Sequence, residues 1–156
     1  MTHSPRSERP RVAALFIAAG LLACGSVAHM EGGDRFRARL SMVPIDISMR
    51  TAIAGVGAAT ADVTGSTLKI VGSFEGLRSP AVSAQLHEGS KKGLRGPALF
   101  PLTITHDTKG TIAGSIELTS AHLAALRAGH CYIELSSEKA PDGNLWGWLL
   151  PDGHRP

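Results

Sequence analysis

Two polar side chains, Gln85 and His87, flank Leu86 in the stretch AVSAQLHEGS, residues 81–90. Residues two apart on a β-strand share a face, so an amide and an imidazole would point the same way. Such a pair suits a metal or ligand site, and equally an ordinary strand end with a hydrogen-bonded histidine. Farther along, LWGWLL puts Trp146 and Trp148 on one face of a strand and Leu145 and Leu149 on the other. Two indoles on one face can form a stacking platform for a sugar, an aromatic group or a partner's side chain. A strand apolar on both sides is more simply buried on both, and with aromatics at only 4% of the chain, core or interdomain packing is the favoured role.

The remaining reactive side chains offer little. Cys131 precedes YIEL in a strand-like run with no positive charge beside it, which reads as a buried, inert thiol. His122 falls on the solvent side of a short helix, His130 starts a strand and His106 sits in a turn-rich stretch, while His29 and His154 belong to the termini; none has metal-ligand spacing. Ser136 and Ser137 lack a Gly-x-Ser-x-Gly elbow, and no aspartate is spaced to orient His130. Glu134 and Glu138 do not define a glycosidase pair, and no glycine loop precedes a helix to hold phosphate. The sequence predicts no enzyme and no cofactor.

The elements that would position these residues are mostly strands. RFRARLS alternates Phe36, Ala38 and Leu40 against Arg35, Arg37 and Arg39, a period of two with one wet face. GVGAATADV and TLKIVGSFEGL continue the pattern, with Leu68, Ile70 and Phe74 as core candidates. Turns are expected at Thr64-Gly65, Glu75-Gly76, Ser79-Pro80, Lys109-Gly110 and Pro141-Asp142-Gly143. Further strands are expected at 81–87, 98–105, 111–117, 130–136 and 144–150, a spacing that predicts an all-β sandwich or barrel. One segment differs: TSAHLAALRAG has Thr119 as N-cap and Gly129 at the C′ position of a short helix.

The amino terminus carries an address. Arg6, Arg9 and Arg11 precede the uncharged run Val12–Ala23, too short to span a bilayer and of the length of a signal-peptide core. LLAC followed by Gly25 fits a bacterial lipobox, which would make Cys24 the lipidated first residue; SVA offers an ordinary cleavage site after Ala28. We read residues 1–23 as signal peptide with lipidation at Cys24, 25–34 as a flexible tether, 35–151 as the folded domain and 152–156 as a tail. With Cys24 lipidated or removed, Cys131 has no disulfide partner. Loss of residues 1–23 leaves 13 of the 16 basic and 12 of the 13 acidic residues, a net charge near +1. Nucleic-acid binding would call for a basic stripe; the short KKGLR run, Lys91 to Arg95, reads as a solvated loop.

The order of landmarks (FRARLS, FEGL, SAQLHEGS, GPALFPLT, the GTIAGSIELTSAHLAALRAGHCYIEL run and a closing PDGNLWGWL) resembles the chordin-type (CHRD) domain over about residues 36–150. The resemblance implies an immunoglobulin-like antiparallel β-sandwich with one short helix. The family usually reads AHIHGPA, YVNVHT and GEIRGQL at three polar landmarks. Here the first histidine is Gln85 and the second remains as His87; Glu134 and Ser136 replace asparagine and histidine, and Asn144, Trp146 and Trp148 replace Glu, Arg and Gln. Equal parity puts these residues on one face, the candidate binding face being Gln85, His87, Glu134, Asn144, Trp146 and Trp148. The resulting expectation is a non-catalytic binding or structural module of the cell envelope, membrane-held by its lipid, whose partner is an envelope or extracellular protein or a glycan. The alternative is a zinc or copper protein using His87 and Glu134 in a degenerate site.

Overall fold

A computed structural model of the chain describes residues 34–42 and 47–153, together with Met1. The predicted signal peptide after Met1, Cys24, the alternative cleavage site after Ala28, His29 and His154 lie outside the described residues, as does the tether apart from Asp34.

The chain is all-β with one short helix. Strands β1 (Arg35–Leu40), β2 (Val56–Thr64), β3 (Thr67–Glu75), β4 (Ala81–Glu88), β5 (Ala98–Ile104), β6 (Gly110–Glu117), β7 (Cys131–Ser137), β8 (Ala140–Trp148) and β9 (Leu150–Pro151) form one antiparallel sheet in the order β8-β7-β4-β5-β6-β3-β2-β1-β9. Alternation drives the assignment: β1 buries Phe36, Ala38 and Leu40 and exposes its three arginines, while β3 buries Leu68, Ile70 and Phe74. Burying both the inner Leu, Ile and Phe residues of β1, β3, β4 and β6 and those of β7 and β8 requires the sheet to curl upon itself.

Two features turn the expected two-layer sandwich into a nearly closed barrel. Strand β5 belongs to both halves: Ala98 to Leu102 pair with β4, and Thr103 and Ile104 pair with β6. At the other edge, Ser41 and Trp146 exchange both backbone hydrogen bonds at 2.9 Å, and β9 pairs Leu150 with Arg37 and Pro151 with Phe36. The approach is close enough that a Cβ on Gly147 would lie 2.5 Å from Leu40 Cδ2 and 2.7 Å from the Arg39 carbonyl oxygen. Gly147 is therefore what lets β8 meet β1.

The helix α1 (Ser120–Arg127) carries the chain across one end from β6 to β7. Thr119 caps it, accepting from the His122 N–H at 3.2 Å, and Gly129 ends it with φ of 74°. The Gly129 N–H donates to Leu126 O and the His130 N–H to Ala125 O, the paired bonds of a Schellman stop. His122 is half-buried rather than wet, its ring edge-on to Phe100 at 5.7 Å, because α1 packs that turn over β5. The β7–β8 turn also moves: it lies at Glu138-Lys139, whereas Pro141-Asp142-Gly143 forms a bulge inside β8, permitted by φ of 116° at Gly143. A short 3-10 turn, Ile47–Thr51, precedes β2. No helix among the described residues is long and apolar enough to cross a membrane.

Candidate functional site

The outer face of β4, β7 and β8 carries the predicted residues in two cross-strand rows. Register pairs Gln85 with Glu134 and Glu134 with Trp146; the adjoining row pairs His87 with Tyr132 and Tyr132 with Trp148. Tyr132 is the centre of the face. Its ring stacks on His87 at 4.9 Å, lies 5.7 Å from Trp146 and sits 4.6 Å from Trp148. Neighbouring aromatics on one sheet face gain from such offset contacts.

The loop between β4 and β5, residues 89–97, folds back over these rows. Tyr132 Oη accepts from the Gly96 N–H and donates to the Gly96 carbonyl, both at 3.1 Å, and His87 Nδ1 lies 3.1 Å from that same carbonyl. A carbonyl only accepts, so Nδ1 carries the His87 proton. Arg95 completes the cover: its guanidinium carbon stands 4.2 Å over the Trp146 ring, and Nη2 donates to Glu134 Oε2 at 3.2 Å and to Asp142 O at 3.1 Å. One cation thus meets an indole face, a carboxylate and a backbone carbonyl.

The face is consequently covered over most of its width. Tyr132 is fully buried, His87 and Trp146 are each 8% exposed, and Glu134 is buried. His87 Nε2 and Trp146 Nε1 have no hydrogen-bond partner among the described residues. Asn144 leaves the outer rows altogether: carried inward by the β8 bulge, it donates to Ala54 O at 2.8 Å and accepts from the Ala54 N–H at 3.2 Å. It staples the segment before β2 to β8. Ser136 turns to the bulge as well, donating to Pro141 O at 3.0 Å.

Gln85 and Trp148 remain half-buried. Trp148 borders a groove of about 400 Å3 shared with Arg37, Arg39, Lys92, Leu150 and Asp152. Arg37 holds Asp152 at 3.0 Å, while Arg39 and Lys92 form no ion pair among the described residues.

As metal ligands, His87 and Glu134 sit in different rows and each already has a partner, Gly96 for the imidazole and Arg95 for the carboxylate. Among the described residues no three of His, Cys, Asp and Glu gather as a metal centre would require. Cys131 is buried on the inner face of β7, and burial, helped by the negative charge of Glu88, pushes its thiol up to about 12.

The sequence reading missed Tyr132 and Arg95. Tyr132 was available to a parity argument, two residues before Glu134 on the same strand. Arg95 was not, because a loop's return onto its own sheet depends on contacts distant in sequence. The KKGLR run divides accordingly: Lys91 and Lys92 are solvated, and Arg95 is engaged.

No curated protein and no solved structure matches the chain. The order of strands, the capped helix and the polar-aromatic outer face span the residues, 36–149, that match the CHRD domain, and the chain belongs to that family.

Proposed function

We propose that this is a non-catalytic binding module of the bacterial cell envelope, exported by residues 1–23 and held by lipid on Cys24, with release after Ala28 as the soluble alternative. The observation that carries the binding reading is Trp148: its row is buried under the β4–β5 loop except at this end, where the indole borders a cationic groove. The groups with acid–base or nucleophilic potential are engaged elsewhere. Glu134 is held by Arg95, His87 is stacked and hydrogen-bonded, and the Cys131 thiol is buried with its pKa raised. These engagements favour recognition over turnover. The zinc or copper alternative has two candidate ligands, His87 and the ion-paired Glu134, in different rows, against the three or four that a site needs. The two halves of the sheet, hinged at β5, support treating the barrel as a curled relative of the immunoglobulin-like sandwich.

Fractionation tests both parts of the proposal. In the full chain, Cys24→Ser is expected to shift the protein from the detergent to the aqueous phase; unchanged partitioning would remove the lipid anchor. In that Cys24→Ser background, washed envelopes should still retain the protein and Trp148→Ala should release it. Equal retention of both would exclude the Trp148 end as the binding surface.

A further inference from the structure

The groove beside Trp148 is assembled by barrel closure. The register that pairs Arg37 with Leu150 and Ser41 with Trp146 runs Arg39 opposite Trp148 across the β1–β8 seam. Arg37, two residues earlier on β1, shares Arg39's outward face. Lys92 enters from the β4–β5 loop. Three cations from two separate parts of the chain therefore border one half-exposed indole.

Charge pairing elsewhere makes this arrangement distinctive. Arg35 is bound to Asp62 at 2.6 Å, Arg127 to Asp34 at 2.6 Å and Arg95 to Glu134 at 3.2 Å. In the groove, among the described residues, only Arg37 has a carboxylate, that of Asp152. Among the described residues Arg39 and Lys92 are left over, so the residues that line the groove hold a surplus of two positive charges although the exported chain carries a net charge near +1. Unpaired like charges crowded together repel one another, an arrangement that a bound anion relieves.

We infer that the groove is a binding site for an acidic glycan: a sugar ring lies on the Trp148 indole while carboxylate or phosphate groups on the same or the next residue reach Arg39, Lys92 and Arg37. Each component has a chemical counterpart. The indole offers a flat apolar face for the C–H side of a pyranose ring. The guanidinium fork matches a carboxylate or phosphate with two parallel donors, and the lysine supplies a mobile point charge. The volume of about 400 Å3 lies at the small end of the roughly 300–1,000 Å3 of ligand pockets, which suits a segment of a longer chain passing through an open groove. A neutral glycan would leave the cations idle, and an inorganic polyanion would leave the indole idle. The proposal rests on the binding-module reading above and names its ligand class.

The test uses the full-length protein, titrated calorimetrically and by tryptophan fluorescence, with Trp146 and Trp148 its only two indoles. The probes are pentagalacturonate, maltopentaose, inorganic polyphosphate and a short oligothymidylate. Pentagalacturonate should bind and perturb the emission, with affinity falling as salt rises. The other three should bind at least about tenfold more weakly, each lacking the acid, the sugar ring or the spacing. Arg39→Gln and Lys92→Gln, both exposed, should each weaken pentagalacturonate by about tenfold with an unchanged melting temperature, whereas Lys139→Gln, in the β7–β8 turn at the opposite end of β8 from Trp148, should not. Trp148→Phe keeps a ring in place and guards against unfolding; it should weaken binding while retaining the salt dependence.

Equal binding of maltopentaose, polyphosphate or oligothymidylate would overturn the assignment, as would Arg39→Gln and Lys92→Gln without effect. Absence of pentagalacturonate binding together with Trp148-dependent retention on envelopes would reject the acidic glycan and keep the binding module. Loss of both would reject both.

Discussion

At Cys131, burial has a consequence that pH can expose. The thiol's ordinary value of 9.0 rises to about 12 because the folded protein cannot solvate a thiolate there and Glu88 adds negative charge. Below pH 9 the folded and unfolded chains both hold the proton and the group contributes nothing to the pH dependence. Between 9 and 12 the unfolded chain releases a proton that the folded chain keeps, so stability falls as pH rises. Denaturant titrations at several pH values should show the parent losing up to about 1.4 kcal/mol more per pH unit than Cys131→Ala in that window. Parallel slopes would mean that the thiol ionises freely in the fold. Whether individual residues were legible followed from whether their role was local. The inert character of Cys131 could be read from its apolar strand, and Tyr132 from strand parity, whereas the inward turn of Asn144 could not. That turn follows from a bulge whose φ is chosen at Gly143, one residue away, to satisfy Ala54, ninety residues away.

Among the elements, the loop between β4 and β5 does most to decide what the outer face can touch. It rests on Gly96, where a Cβ would lie 1.8 Å from the Glu88 carbonyl oxygen, a contact with backbone that no rotamer relieves. Gly96→Ala should therefore lift the loop, remove Arg95 from Trp146 and Glu134, and cost roughly 1–3 kcal/mol. Tryptophan emission should shift to the red and quench more readily with acrylamide; an unchanged spectrum would show that the cover tolerates the methyl group. The strands and the helix were readable because their signals are short-ranged: alternation in β1 and β3, Thr119 and Gly129 bounding α1. The displaced β7–β8 turn shows the limit. Pro141-Asp142-Gly143 has turn chemistry, but Leu135 pairs with Leu145 and Ser137 with Ala140, a register that sets the turn at Glu138-Lys139 and is not visible in the local turn residues.

For the whole molecule, what sequence could not supply was closure, since nothing in β1 or β8 alone says that they meet. Their meeting depends on Gly147. A methyl group there would be driven against Leu40 and the Arg39 carbonyl, so Gly147→Ala should destabilise the domain by roughly 1–3 kcal/mol. Amide hydrogen exchange should locate the loss first at Ser41 and Trp146, the two ends of the seam's paired bonds. Protection at those two amides equal to the parent's would show that the seam does not depend on the glycine. Closure also brings the domain's two ends together, because the Asp152 N–H donates to the Arg35 carbonyl at 2.7 Å. A domain whose first and last strands are hydrogen-bonded neighbours can be cut open at another loop and rejoined by a short linker without disturbing the order of its sheet. It can likewise be spliced as an insert into a surface loop of a host protein, its entry and exit points close enough to replace a single turn.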